Sequence, residues 1–402
     1  MKRIIAGTAA ALLAAVLFLP QTVQAVSAEK AIVMDAVSGR VLFERNADKQ
    51  SLIASTTKIM TALIICEQCN VLDRMRIPKD AVGIEGSSMY LKEGEVLTIQ
   101  ELLYGLMLSS GNDAAVALAI YCGGTVEEFA ERMNDKARIL GLQDTHFENP
   151  NGLDSPGHYS TARDLAVLAA YAMENPIFYK TVSAKTISVG ERHLRNHNKL
   201  LWQVEGADGV KTGFTKAAGR ILVSSATRNG RRIIAVTLND ANDWQDHAKL
   251  LEEGFARYNV QRIVTKNDLI AKVDVAGGQT QQVEIRAAEH FSYAIAPEET
   301  KTLVYPGPGF VYAPVAEGAD AGVAYVQIAG KTVGKIPVVY GQTIEMEVTE
   351  ARSLLERIFG GNGYAGTATE DPLRTGHCLP SESGRNDRSR TGQREWTGCA
   401  VG

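Results

Sequence analysis

Residues 54–62 read Ala-Ser-Thr-Thr-Lys-Ile-Met-Thr-Ala, and the apolar run continues through Leu63, Ile64 and Ile65. Ser55 and Lys58 stand three positions apart at its start, so a helix puts both side chains on one face and brings the Lys58 amine to the Ser55 hydroxyl. A serine hydroxyl is a weak nucleophile at neutral pH and needs a base beside it. Free N–H groups at a helix start suit developing negative charge. Lys58 accepts a proton only when neutral, which requires burial or a neighbouring cation. The S-x-x-K spacing recurs at Ser27 and Lys30 with no apolar helix behind it. One box alone therefore carries little weight, and an ordinary N-cap competes as the reading of Ser55.

Two further boxes change the weighing. Ser110-Gly111-Asn112 joins the apolar segment ELLYGLML to the alanine-rich DAAVALAI, where a hydroxyl and an amide can relay a proton and hold an amide. Lys211-Thr212-Gly213 ends a predicted strand, offering a positive charge, an anion-binding hydroxyl and a residue without a side chain where a substrate backbone can lie close. Singly, each also reads as a turn or a solvated strand end. S-x-x-K, S-x-N and K-T-G in this order match the box set of serine acyl-transfer enzymes that react with penicillin.

Outward from these boxes, the chain has 402 residues, enough for two or three domains. Hydrophobic residues make up 45% and charged residues 22%, which excludes wholesale disorder and a polytopic membrane protein. A net charge of −4 argues against nucleic acid as a partner. Lys2 and Arg3, the apolar stretch from Ile4 to Leu19 and Val23-Gln24-Ala25 read as a secretory signal peptide over 1–25. Residues 31–44 predict a hairpin turning at Ser38-Gly39, and 55–195 read as strongly helical. Capping pairs Thr125/Glu128 and Thr161/Asp164 open two of its helices. Strands follow near 209–212, 220–227 and 231–238, with Asn229-Gly230 as a tight turn, and then a helix near 244–258. This is an α/β domain over 29–258 whose sheet draws on both ends of the segment. Residues 259–348 alternate as a small all-β domain, 349–360 suggest a short amphipathic helix, and 361–402 a disordered polar tail.

Beyond the boxes, EGSSMYL (85–91), LMLSSGNDAAVALA (106–119), NPNGLDSPGHYSTARDLA (149–166) and GVKTGFTKAAGRILVSSA (209–226) make the chain resemble the D-alanyl-D-alanine carboxypeptidases of the S11 peptidase family, which are low-molecular-mass penicillin-binding proteins. The resemblance runs from about Ala31 to Val348. It implies a β-lactamase/transpeptidase-like domain, an antiparallel sheet with a helical subdomain, followed by the β-sandwich. It also implies acyl transfer on peptidoglycan stem peptides, acylation by β-lactam antibiotics, an extracytoplasmic location, and no metal or organic cofactor. Ser55 becomes the nucleophile, Lys58 the base and Ser110 the proton relay. Asn112 holds the substrate amide, and Lys211 with Thr212 the terminal carboxylate. Gly213, Phe214 and Thr215 line the groove, with the backbone N–H groups of Ser55 and Phe214 as the oxyanion hole.

Relatives often carry an arginine after the last catalytic strand; here 239–250 read NDANDWQDHAKL, which leaves Thr212, Thr215 or Arg220 for the carboxylate. The missing arginine keeps a catalytically inactive wall-binding protein as one alternative. Glu148, placed like a deacylating glutamate, keeps a class A-like β-lactamase as another. His158 is either site-supporting or structural. His193 and His197, four apart but flanked by Arg192 and Arg195, do not suit a metal. The five cysteines show no pairing pattern, and Cys66-x-x-Cys69 reads as core thiols within one continuous helix. The polar tail leaves loose or absent membrane attachment.

Overall fold

The computed structural model describes residues 26–347. The proposed signal peptide, the 349–360 helix and the 361–402 tail lie outside the described residues. In chain order the first part comprises β1 (Lys30–Asp35), β2 (Val41–Arg45), a 3-10 turn (Ala54–Thr57), α1 (Lys58–Gln68), β3 (Arg74–Arg76), β4 (Val96–Thr98), α2 (Ile99–Leu108), α3 (Asn112–Gly123), α4 (Val126–Ile139), α5 (Ala162–Ala172) and α6 (Pro176–Ser183). It continues with β5 (Thr186–Val189), β6 (Arg192–Arg195), α7 (Leu200–Gln203), β7 (Ala207–Thr215), β8 (Gly219–Arg228), β9 (Arg231–Leu238) and α8 (Asp243–Arg257).

The central sheet is antiparallel in the order β2-β1-β9-β8-β7. All six residues of β1 are buried, since it enters between β2 and β9, strands from opposite ends of the domain sequence. The β8–β9 turn is made by Asn229 and Gly230, both with positive φ (51° and 77°), as a two-residue turn matched to strand twist requires. Alternation along the strands then separates two cores. Ile32, Met34, Val223, Ile234 and Val236 face the helical block, while Val33, Ala226, Ile233 and Ala235 meet Leu250 and Leu251 of α8.

α1 is buried at every position from Lys58 to Cys66, which makes it the central helix of the block. Each of its buried Leu, Ile and Met side chains contributes roughly 1.5–3 kcal/mol. The 55–195 segment is less uniformly helical than its composition suggests: β3 pairs with β4 and β5 with β6 inside it. The latter hairpin is only four residues a side, and its Thr186, Ile187 and Val189 are stiff at χ1 and suit a strand. α1 also stops at Gln68, with Cys69 in an extended conformation as its cap, so Cys66 and Cys69 do not share one continuous helix.

From Asn259 the chain is all β: β10 (Asn259–Val264) pairs with β13 (Phe291–Ile295). The strands β11 (Leu269–Ala276), β12 (Gln282–Ala287), β14 (Lys301–Val304), β15 (Phe310–Tyr312), β16 (Asp320–Ile328) and β17 (Lys331–Tyr340) form one sheet in the order β14-β16-β17-β12-β11-β15. Val273, Val283, Ile285, Val326, Ile336 and Val338 build a separate core here. Arg40, from the β1–β2 hairpin, lies over the rings of Tyr258 and Tyr293 and pairs with Glu299, tying this part to the first.

Candidate active site

The site grows from the turn before α1. Ala54 takes φ +45°, a strained value for a residue with a Cβ, and Thr56 Oγ1 donates to Ile53 O at 2.6 Å, which tightens the 3-10 turn that carries Ser55. Ser55 is half-buried at the start of the helical segment, and its side chain makes no capping bond. Lys58, one turn on, is fully buried, with Nζ 3.0 Å from Ser55 Oγ, 2.7 Å from Asn112 Oδ1 and 2.6 Å from Asn151 O.

Burial pushes the Lys58 amine well below the usual lysine range, the charge of Lys211 pushes it further, and Asp113 opposes both. A neutral amine has two hydrogens and one lone pair. With the hydrogens given to the Asn112 and Asn151 oxygens, the lone pair is left facing the Ser55 hydroxyl. The arrangement can therefore take the Ser55 proton as the oxygen attacks a carbonyl.

Asn151 was not singled out from the sequence. It lies in the turn 149–153, where Asn149 Oδ1 accepts from Gly152 N at 2.7 Å and Asn151 Oδ1 from Leu153 N at 3.1 Å. Gly152 has φ +87°, and a Cβ there would stand 1.9 Å from Ala54 O, so only glycine lets this turn lie against the nucleophile's turn. His158 supports the same junction. Its Nδ1 accepts from Glu148 N at 3.0 Å, so Nε2 carries the hydrogen and donates to Thr57 Oγ1 at 2.7 Å. Burial holds the imidazole down at about 4, hence neutral. Glu148 itself is exposed and turns its carboxylate to Ser155 Oγ and Gly157 N, away from Lys58. The oxygen that this loop brings to Lys58 is the Asn151 carbonyl.

Ser110 lies between α2 and α3 with φ +59°, buried, and its hydroxyl has no hydrogen-bond partner among the described residues. Asn112 begins α3 rather than capping it, and its amide is shared between Lys58 and Glu85 O, to which Nδ2 donates at 2.5 Å. Asp113, likewise missed in the sequence, joins Asn112 in holding the EGSSMYL loop over this junction. It accepts from Ser88 Oγ at 2.6 Å, Leu91 N at 3.0 Å and Met89 N at 3.1 Å. Nothing in sequence spacing ties residue 113 to a loop more than twenty positions earlier.

β7 brings up the third box as the edge strand of the sheet beside the Ser55 turn, where Lys211 Nζ donates to Thr212 O at 2.9 Å. Lys211 is 1% exposed, and burial lowers its amine to about 7. A Cβ on Gly213 would stand 3.2 Å from Ile53 O and 3.4 Å from Ala54 Cβ, so this glycine also lets β7 lie close against the turn that carries Ser55. Thr212 is half-buried with an unengaged hydroxyl among the described residues, and Phe214 is 64% exposed. Thr215 Oγ1 already donates to Asp154 at 3.0 Å, and Arg220 is paired with Asp243 at 2.8 Å. Of the three candidates for a carboxylate, Thr212 is thus the uncommitted one. His193 bonds Ser188 across the β5–β6 hairpin, while His197 stands near Lys211, whose charge adds to burial in lowering it.

A hydroxyl and amine in contact, an amide-hydroxyl junction and an edge strand brought together at one turn fit a serine acyl-transfer enzyme. The family profile described as D-alanyl-D-alanine carboxypeptidase matches residues 19–242, and the one described as penicillin-binding protein 5, C-terminal domain, matches 258–346. The chain is 35% identical over 349 residues to the D-alanyl-D-alanine carboxypeptidase DacC of Escherichia coli, covering 81% of this chain and 86% of that one. It is 32% identical over 331 residues to DacF of Bacillus subtilis, covering 77% and 84%. The crystal structure of penicillin-binding protein 5 from Haemophilus influenzae superimposes with a TM-score of 0.70 at 29% identity, covering 81% of this chain and all of that one. The chain belongs to the D-alanyl-D-alanine carboxypeptidase family, Peptidase S11.

Proposed function

We propose that this chain is a serine-type D-Ala-D-Ala carboxypeptidase that removes the terminal D-alanine of peptidoglycan stem pentapeptides through a Ser55 acyl-enzyme. The observation that carries the reading is the three-way contact of the buried Lys58 amine with Ser55, Asn112 and Asn151. Ser55 Oγ attacks the carbonyl of the penultimate D-alanine as its proton passes to Lys58 Nζ. The oxyanion is held by the backbone N–H groups of Ser55 and Phe214. Collapse breaks the peptide bond, and the Lys58 proton reaches the departing amine by way of Ser110. Water then repeats the sequence on the acyl-enzyme and releases the shortened peptide.

The substrate backbone extends along the open edge of β7, with Asn112 toward its amide and Lys211 and Thr212 toward the terminal carboxylate. A β-lactam ring enters the same path and acylates Ser55. The exposed Glu148, bonded to Ser155 and Gly157, supports the carboxypeptidase over the lactamase reading. The basic-apolar stretch of residues 2–25 supports export to the cell-wall space. Among the described residues no helix is long and apolar enough to cross a membrane, and we extend the reading to weak or absent attachment. The decisive assay is D-alanine release from an N-acylated peptide ending in D-Ala-D-Ala. Release that is lost in Ser55→Ala supports the reading, and no release by the intact chain overturns it.

A further inference from the structure

Three cysteines lie among the described residues, and their surroundings differ. Cys66 is buried against the helical core, which pushes its thiol up to about 12. Cys69 caps the C-terminal end of α1, and Cys122 sits in the last turn of α3; both are half-buried. α1 and α3 pack on each other, and at their C-terminal ends Cys122 reaches Gln68. Around the Cys122 sulfur, Gln68 Oε1 lies at 3.7 Å and the Arg132 guanidinium of α4 at 3.9 Å, and Arg132 Nη1 donates to Gln68 Oε1 at 3.2 Å. This polar fringe joins the residue next to Cys69 to Cys122. Cys122 is thus set beside the segment that carries Cys69, whereas Cys66 lies one helical turn back in the core.

We propose that Cys69 and Cys122 are a redox-responsive pair that closes to a disulfide between the C-terminal ends of α1 and α3 when a disulfide donor is present. The Cys122 thiolate attacks one sulfur of the donor, forming a mixed disulfide and expelling the other sulfur as a thiolate. Cys69 then attacks the Cys122 sulfur, passing its proton to the second departing thiolate. One donor disulfide becomes two thiols and one protein dithiol becomes one disulfide, so electrons and protons balance.

Charge is distributed to favour this order. The facing Cys69 thiol and, after it, Arg132 lower the Cys122 thiol, whereas Cys69 is raised and keeps its proton until Cys122 has reacted. The crosslink ties together the far ends of the two helices whose first residues are Lys58 and Asn112. On the catalytic reading above, it stiffens the pair that holds the base; its formation does not depend on that reading.

The test uses the full-length reduced chain incubated with oxidised glutathione, alkylated in denaturant and digested without reduction for mass spectrometry. The expected product is a linked peptide containing Cys69 and Cys122, lighter by about 2 Da than the two reduced peptides together, with Cys66 recovered alkylated. Closing the long loop between them raises Tm by about 5 °C, and dithiothreitol reverses the shift. Cys122→Ser removes both the linked peptide and the Tm shift, while the reduced variant keeps the wild-type rate of benzylpenicillin acylation. Recovery of Cys69 and Cys122 as separate alkylated or glutathione-capped peptides overturns the proposal. So does a link from either one to Cys66, Cys378 or Cys399.

Discussion

Each face of the central sheet buries a nitrogen base, and only one of the two adjoins a partly exposed hydroxyl. On the helical side, Lys58 and Lys211 are 0% and 1% exposed, yet they adjoin the half-buried Ser55 and Thr212 at the open edge of β7. On the other side, His247 of α8 is also 0% exposed, between Ser224 Oγ of β8 at 2.6 Å and Thr237 Oγ1 of β9 at 2.9 Å. Burial lowers the proton affinity in both places, to about 7 for Lys211 and to about 3 for His247. A displaced pKa therefore does not by itself mark a site. The Lys58 site differs in having the half-buried Ser55 hydroxyl beside it and a strand edge nearby, whereas His247 has hydroxyl partners on both ring nitrogens and is sealed in at 0% exposure.

That contrast can be broken most forcefully at Lys58. Lys58→Met keeps the shape of the stem but removes the lone pair, and benzylpenicillin acylation is expected to fall by about a thousandfold or more, with the native fold checked by Tm. A loss below about tenfold would move the base elsewhere.

The edge of β7 offers a sharper pairwise comparison. Thr212→Val is expected to raise KM for a D-Ala-D-Ala peptide by roughly ten- to a hundredfold, the worth of one hydrogen bond to a charged group. Thr215→Val should change it less than about threefold, because that hydroxyl already serves Asp154. Equal effects would contradict the assignment of the carboxylate.

The pH profile discriminates the two lysines. On the proposed mechanism Lys58 acts as the neutral amine, so kcat/KM rises as pH passes its lowered pKa, and Lys211 acts as the cation, so kcat/KM falls above about pH 7, approaching tenfold per unit for one titrating group. A flat profile from pH 7 to 9 would exclude Lys211 as the charged partner.

The smallest catalytic effect belongs to the sealed face. His247→Asn should leave kcat/KM within about twofold while lowering Tm, because two buried hydroxyls lose a matched partner. The unfolded His247 binds a proton near its ordinary value of 6.5 and the folded one near 3, so between these values the unfolded state holds more protons. Its contribution to stability is present above about pH 6.5 and is lost as pH falls toward 3, and the asparagine variant should show a shallower acid decline in Tm.

The same contrast explains what could be read in the chain beforehand. Ser55 and Lys58 are local, and helix spacing alone brings them together; Asn229-Gly230 and the strands around it carry their own turn chemistry. The joining of β1 to β9 followed from strands at both ends of an inserted helical block. Asn151 and Asp113 escaped because each acts through loop closure: one offers only a backbone oxygen, the other a carboxylate spent on distant amides. Gly213 reads from sequence as clearance for a ligand, and its close packing on the turn that carries Ser55 is a second demand that spacing does not reveal. His247 gave no signal, since a buried histidine with two hydroxyl partners has no distinctive spacing. The short hairpins inside the strongly helical 55–195 block are too brief for period-two alternation to stand out.

The convergence of Ser55, Lys58 and the K-T-G strand on one groove is tested most directly by intact-mass spectrometry after benzylpenicillin treatment. The wild-type chain is expected to gain the mass of one penicilloyl group and Ser55→Ala none, with the modified peptide carrying the group on Ser55. An adduct of the same mass persisting in Ser55→Ala, or its absence from the wild type, would contradict it.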